Sequence, residues 1–293
     1  MTVPTSVAAE VGAALEDRGL GSRIVRAMPV GGGCINHGSR VETDRAETFF
    51  LKWNVSAPAG MFEAEVDGLG ALRSVDAVRA PEPLAHGATW LLLEHIEAGS
   101  GGRETSADLG RMLAALHSAA GSPTFGWPRD NWIGSLPQPN SRSATWGDFW
   151  RDRRIGPQLE RARASGRSRS AAFDRVLEVI PQALADVDRP ELVHGDLWGG
   201  NWLTDAGGAP WLIDPAAYFG HGEVDLAMSE LFGGFDRAFY GAYEEARGRT
   251  GAYAAYRRDL YQLYYLLVHV NLFGSSYEAG ARAAAERVVA ALG

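Results

Sequence analysis

Apolar residues recur along this chain with two different periods, and the change of period divides it. Val7, Val11 and Leu15 stand at helical spacing behind Thr5 and Ser6, either of which can cap, so a helix is predicted near the start. Residues 24–30, 38–43 and 48–53 then read as strands, with Gly31-Gly32-Gly33 between the first two and a turn at 44–47 before the third. Helical spacing returns over 61–75, with Phe62, Val66, Leu69 and Leu72 near one face. Trp90-Leu91-Leu92-Leu93 is a candidate buried strand running into Glu94-His95-Ile96, and the glycines at 99–102 mark a linker. Beyond the linker the pattern is helical: Leu109, Met112, Leu113 and Leu116, then Phe173, Val176, Val179 and Ile180, then most of 225–293. A loop rich in Pro, Gly and Trp, 121–145, interrupts it, and the arginine-rich stretch 161–170 reads as an exposed helix end or mobile loop. The expected fold is α+β and bilobal: a small β-rich lobe over 1–97, a hinge near Glu94 to Gly102, and a larger helical lobe over 98–293.

Composition narrows the setting. A chain of 293 residues, 46% hydrophobic and 22% charged, has the balance of an ordinary globular protein and can bury a core without disulfides. The single cysteine, Cys34, has no partner within the chain, which fits a reducing cytoplasm. The first ten residues lack the basic and apolar regions of a signal peptide. No apolar run approaches the length of a membrane span, and the longest, 264–270, is interrupted by His269, so no membrane partner is expected. A net charge of −8 argues against a nucleic-acid partner. One count is sharper. Among 28 Lys+Arg residues Lys52 is the sole lysine, and it stands where arginine was evidently not interchangeable, as at a site needing a compact point charge.

The chemistry concentrates in the second half. Leu192-Val193-His194-Gly195-Asp196 reads as a strand ending in a tight turn, and Asn201 follows Asp196 by five residues. That offset matches a phosphoryl-transfer loop, in which an aspartate takes the acceptor's proton and an asparagine binds metal. Trp211-Leu212-Ile213-Asp214 is a second apolar strand ending in an acid, a candidate magnesium ligand, since Mg²⁺ prefers hard oxygen donors. Upstream, Phe49-Phe50-Leu51-Lys52 sets an ammonium in an apolar strand, where it needs a partner; Glu65 and Glu63 on the following helix are both open. Gly31, Gly32 and Gly33 can bring backbone N–H groups against phosphate, although a flexible hairpin reads the same way. Glu94 and Ile96 lie where the carbonyl of one and the N–H of the other could hold an adenine edge. About ten residues separate Asp214 from a helix expected near Glu223, too few for a peptide-docking platform, so the acceptor is a small molecule. Asp225 reads as a buried acid tying down the catalytic loop's backbone. A magnesium- and ATP-dependent small-molecule kinase follows; a nucleotide-binding pseudokinase is the contrasting reading.

The segment His194-Gly195-Asp196-Leu197-Trp198-Gly199-Gly200-Asn201 resembles the signature of the fructosamine/ketosamine-3-kinase family. The likeness extends through Gly31-Gly32-Gly33-Cys34-Ile35-Asn36, Asp130-Asn131-Trp132-Ile133-Gly134, Gln138-Pro139-Asn140, residues 146–154 and Gly220-His221-Gly222-Glu223-Val224-Asp225-Leu226-Ala227-Met228. The resemblance implies a protein-kinase-like fold and phosphorylation of the 3-hydroxyl of a ketosamine, either a free sugar amine or a glycated lysine on a protein. The phosphorylated adduct then falls off, which is deglycation. It further implies Asp196 as base, Asn201 and Asp214 as magnesium ligands, and Lys52 on the ATP phosphates. Trp198 would stack on the sugar or close the core, and the loop carrying Asp130 and Asn131 would wall the cleft. Asp148 and the arginines at 151–154 are expected in structural ion pairs. The chain would be a monomer or a homodimer, with Cys34 a candidate for a disulfide between two chains. Other small-molecule kinases of the aminoglycoside and choline kinase type are the alternative.

Overall fold

The computed structural model describes residues 2–31, 35–119 and 121–293. Helix α1 (Thr5–Asp17) leads into strands β1 (Ile24–Val30), β2 (His37–Thr43) and β3 (Thr48–Trp53), followed by α2 (Met61–Arg73), β4 (Pro83–His86) and β5 (Trp90–Glu94). The strands form one antiparallel sheet ordered β1-β2-β3-β5-β4. Strand β4 carries little apolar alternation and is absent from the sequence expectation.

Side chains alternate faces along a strand, and here the alternation separates two cores. Phe49, Leu51 and Trp53 of β3, with Trp90 and Leu92 of β5, meet Val7, Val11 and Leu15 of α1. The indole N–H of Trp90 donates to Glu10 on that helix at 2.7 Å. Leu91 and Leu93 face the other way and join Phe62, Leu69 and Leu72 of α2 in the larger core. Lys52 is in phase with that second set, so the pleat of β3 aims it toward α2 and away from α1.

After Glu94 the chain leaves the sheet and enters α3 (Arg103–Ser118). A small hairpin, β6 (Asn131–Ile133) and β7 (Leu136–Gln138), lies in the Pro-, Gly- and Trp-rich region expected as loop. Then come α4 (Trp146–Phe149), a π-helical turn at Trp150–Ile155, α5 (Gly156–Ala164) and α6 (Ala171–Ala183). The arginine-rich stretch expected to be exposed is partly anchored. Ala162 and Ser168 are buried, and the Ser168 N–H donates to Glu278 at 2.7 Å. Two short pairings follow: β8 (Glu191–Val193) with β11 (Tyr218–Gly220), and β9 (Trp202–Thr204) with β10 (Pro210–Leu212). Helices α7 (Glu223–Leu231), α8 (Arg237–Ala246), α9 (Arg258–Phe273) and α10 (Glu278–Leu292) complete the chain. Among the described residues, no helix is long and apolar enough to cross a membrane.

Candidate active site

Strand β8 runs into the tight turn the sequence predicts, and the turn demands its glycine. Gly195 has φ +83°, and a Cβ there would lie 2.2 Å from the carbonyl oxygen of Ala216. The turn is fastened from beneath by Asp225, fully buried on α7, whose carboxylate accepts from the N–H groups of His194 (2.7 Å) and Gly195 (2.8 Å). Three further residues that the sequence did not single out extend this support. His117 of α3 places Nε2 at 3.0 Å from Asp225 and Nδ1 at 2.9 Å from the Tyr243 hydroxyl of α8. A carboxylate only accepts, so Nε2 carries the proton. From the other side the Tyr265 hydroxyl of α9 donates to the Gly195 carbonyl at 2.8 Å. The one sequence signal for His117 is its place in the apolar stripe of α3, four residues after Leu113.

Asp196 emerges from this clamped turn. The Asn201 amide nitrogen donates to the Asp196 carbonyl (2.8 Å) and carboxylate (3.1 Å), and lies 3.5 Å from the Asp214 carbonyl. The backbone repeats the link, since the Ile213 N–H donates to the Asn201 carbonyl at 3.0 Å. Asp214 itself adopts φ +56°, a conformation that costs a non-glycine residue about 1–3 kcal/mol and gathers at functional sites. Burial lifts Asp196 to about 7, helped by the negative charges of Asp214 and Asp225, while the Asn201 amide opposes the rise. A base with that value is poised near neutral pH.

The sheet contributes the cation. The Lys52 ammonium lies 2.6 Å from Glu65 and 2.9 Å from Asp214. The Glu63 alternative is settled by geometry, because Glu63 pairs with Arg129 at 2.7 Å, and Asp67 joins them at 2.8 Å. Burial alone would push the Lys52 proton off; the charges of Asp214 and Glu65 outweigh it and hold the ammonium protonated. Helix α2, which carries Glu65, also packs on the segment after Asp214: a Cβ on Gly68 would stand 3.2 Å from Pro215.

Lys52, Glu65, Asp196 and Asp214 thus set one ammonium among three carboxyl groups, a crowding of acids that burial and mutual repulsion turn into raised proton affinity at Asp196 and Glu65 and that a divalent cation would relieve. Asp214 and the Asn201 carboxamide oxygen, which accepts no hydrogen bond among the described residues, are hard oxygen donors of the kind magnesium takes. Among the described residues no three His, Cys, Asp or Glu side chains cluster as a metal cage.

Gly31 is exposed coil, whereas Gly32, Gly33 and Cys34 lie outside the described residues. Glu94 ends β5, its N–H on the Glu82 carbonyl at 2.9 Å, and Ile96 follows just beyond the sheet, half-buried. Trp198 is half-buried, with its ring over Gly200. Asp130 is exposed and accepts from the Asn140 N–H at 2.7 Å. Asn131 is buried, and its carboxamide is engaged on both ends: it donates to the Ala217 carbonyl (2.9 Å) and accepts from Gln138 (2.7 Å) and Asn140 (2.8 Å). Arg154, wholly buried, donates to Asn140 and lies over the Tyr218 ring at 4.0 Å, so it acts by hydrogen bonding and stacking rather than in an ion pair. Arg151 does pair with Asp148 and Asp152. Asn131, Gln138, Asn140 and Arg154 thus form a buried polar network behind the segment that follows Asp214.

The sequence model of the fructosamine kinase family matches residues 9–291. The chain belongs to that family. It is 43% identical over 268 residues to a probable ketoamine kinase of Synechocystis, covering 89% of each chain. It is 41% identical over 273 residues to the chloroplastic protein-ribulosamine 3-kinase of Arabidopsis thaliana, covering 90% of this chain and 82% of that one. A solved structure from Thermobifida fusca, described as a candidate fructosamine-3-kinase, superposes with a TM-score of 0.87 at 32% identity, over 98% of this chain and all of that one. The fold alone is shared with an aminoglycoside phosphotransferase (TM-score 0.62, 20% identity, 98% and 99% coverage). A choline kinase from Streptococcus pneumoniae shares it likewise (0.64, 14%, 98% and 99%). The family member described here is therefore a kinase with the bilobal protein-kinase-like fold.

Proposed function

We propose that this kinase transfers the γ-phosphoryl group of ATP to the 3-hydroxyl of a ketosamine of the fructosamine or ribulosamine type, and so contributes to deglycation. The observation that carries the reading is the Lys52–Asp214 contact at 2.9 Å, joined through Asn201 to Asp196. It unites a phosphate-binding cation, two candidate metal donors and a base across 162 residues of sequence. The names of the relatives supply the acceptor class: a ketoamine, and a ribulosamine borne on protein.

Asp196 accepts the proton of the attacking hydroxyl as its oxygen bonds to phosphorus and the bond to the ADP oxygen breaks. Asn201 holds the Asp196 carboxylate in position, and Lys52, oriented by Glu65, binds phosphate oxygens. Asp214 and Asn201 would hold magnesium, which would neutralise phosphate charge. The glycine segment 31–33, of which Gly32 and Gly33 lie outside the described residues, would supply N–H groups to the phosphates, and the Glu94 carbonyl and Ile96 N–H would receive the adenine edge. Trp198 offers a face to the sugar, with the turn at Asp130 beside the cleft. Asn131, spent on its network, acts by holding the 215–217 segment rather than by touching substrate.

The test is ADP release with fructosyl- and ribulosyl-lysine in the presence of magnesium, with the phosphorylated position found by NMR. Turnover at the 3-hydroxyl is expected, together with a fall of about 10²–10⁴-fold in kcat for Asp196→Asn. Turnover on an aminoglycoside or amino alcohol but on no sugar amine would overturn the acceptor assignment.

A further inference from the structure

Two large apolar side chains stand in solvent beside the catalytic loop. Phe232, just past α7, is 40% exposed, and Phe273, at the end of α9, is 51% exposed. They flank one ring: His269 lies 4.5 Å from Phe232 and 5.3 Å from Phe273, centroid to centroid, and Tyr277 closes the group at 4.9 Å from His269.

Their position follows from three contacts. His269 is one turn along α9, about 6 Å, from Tyr265, whose hydroxyl holds the Gly195 carbonyl next to Asp196. The Gly233-Gly234 pair after Phe232 is pressed on the catalytic loop, so that a Cβ at Gly234 would lie 2.7 Å from the Gly199 Cα. Leu272, the neighbour of Phe273, touches the β6–β7 turn, which also meets Ile35 next to the glycine segment: a Cβ at Gly134 would lie 2.9 Å from Leu272 and 4.0 Å from Ile35. The rings therefore border the acceptor side of the cleft.

We infer that Phe232, His269, Phe273 and Tyr277 form an aromatic subsite for the protonated amine and alkyl stem attached to the ketose, as on a glycated lysine. The inference rests on the ketosamine reading above. Aromatic faces attract an alkylammonium through the ring quadrupole and cover its methylenes, a combination that a sugar alone does not offer. The His269 ring suits the purpose because burial lowers its affinity for a proton and so disfavours a charge that would repel the amine, outweighing the Tyr265 carbonyl, which accepts from Nδ1–H at 2.8 Å and acts in the other direction.

The experiment compares a fructosyl- or ribulosyl-lysine peptide with the same compound N-acetylated at the sugar-bearing nitrogen, which removes the charge and keeps the sugar. In the double variant Phe232→Ala/Phe273→Ala, KM for the cationic substrate is expected to rise about 5- to 10-fold at unchanged kcat. KM for ATP and for the neutral analogue should stay put, and Phe232→Tyr/Phe273→Tyr should behave as the unaltered protein. An unchanged KM for the cationic substrate, or an equal rise for both, overturns the subsite while leaving the ketosamine reading intact. Absence of turnover by the unaltered enzyme on any sugar amine overturns both.

Discussion

Lys52 illustrates how a single residue can announce itself by exclusion. Arginine fills every other basic position, yet at 52 the ammonium sits between Glu65 and Asp214, in a space measured by contacts of 2.6 and 2.9 Å. A planar guanidinium, larger and with donors fixed in a fork, cannot meet two carboxylates in that geometry and still reach phosphate. Lys52→Arg is therefore expected to keep the charge and lose about 10²-fold in kcat/KM, with kcat falling as well, as steady-state kinetics would show. Asp196 and Asp214 were singled out by their offsets from Asn201 and from the preceding apolar strands, and the Asn201 amide meets both residues in the structure. The choice between Glu63 and Glu65 was not, because both lie in the first turns of one helix. Only the position of Arg129, more than 60 residues away in sequence, draws Glu63 off.

At the scale of elements, the loop carrying Asp196 depends on helices that support it from beneath. Asp225 of α7 holds two backbone N–H groups of the loop, His117 of α3 orients Asp225, and Tyr243 of α8 orients His117. All of them are buried, so removing one leaves a polar group without a partner in a dry site. His117→Ala is expected to cost about 1–3 kcal/mol in denaturant unfolding, and in addition to lower kcat with little effect on KM for ATP. Tyr243→Phe removes one hydroxyl and should cost about 1 kcal/mol, with kcat nearly retained. Equal kcat in His117→Ala and the unaltered protein would show that α3 merely packs. Helices α1, α2, α3, α6 and the run from α7 to α10 were readable from their apolar periods, whereas α4 and α5 were not, and β8 and β10 were readable from short apolar runs ending in acids. The β6–β7 hairpin was not: its residues follow no alternation, and it is held by side-chain amides.

The whole molecule adds a dependence on pH that no single element carries. Trp146 donates to the Tyr261 hydroxyl at 3.0 Å, and that hydroxyl lies 2.8 Å from Nδ1 of the buried His221. Burial, then the nearby charges of Arg257 and Arg247, drive the His221 proton affinity well below that of free histidine. The unfolded chain takes up this proton near pH 6.5 while the folded one refuses it, so stability is full above that pH and declines below it. The decline is about 1.4 kcal/mol per pH unit for this histidine until the folded group titrates. Thermal unfolding from pH 8 to pH 5 should show Tm flat and then falling, with a shallower fall in His221→Asn. A slope identical in the two proteins would place the loss elsewhere. The sequence by itself determined the first helix, the three strands after it, the helical character of the second half and the identity of the lone lysine, because these depend on local period and spacing. Tertiary structure alone decided which glutamate meets Lys52 and which buried residues clamp the loop. It also turned the Asn131 and Arg154 blocks into a support behind the site. Those outcomes depend on contacts between residues tens to more than a hundred positions apart, and no local pattern encodes such contacts.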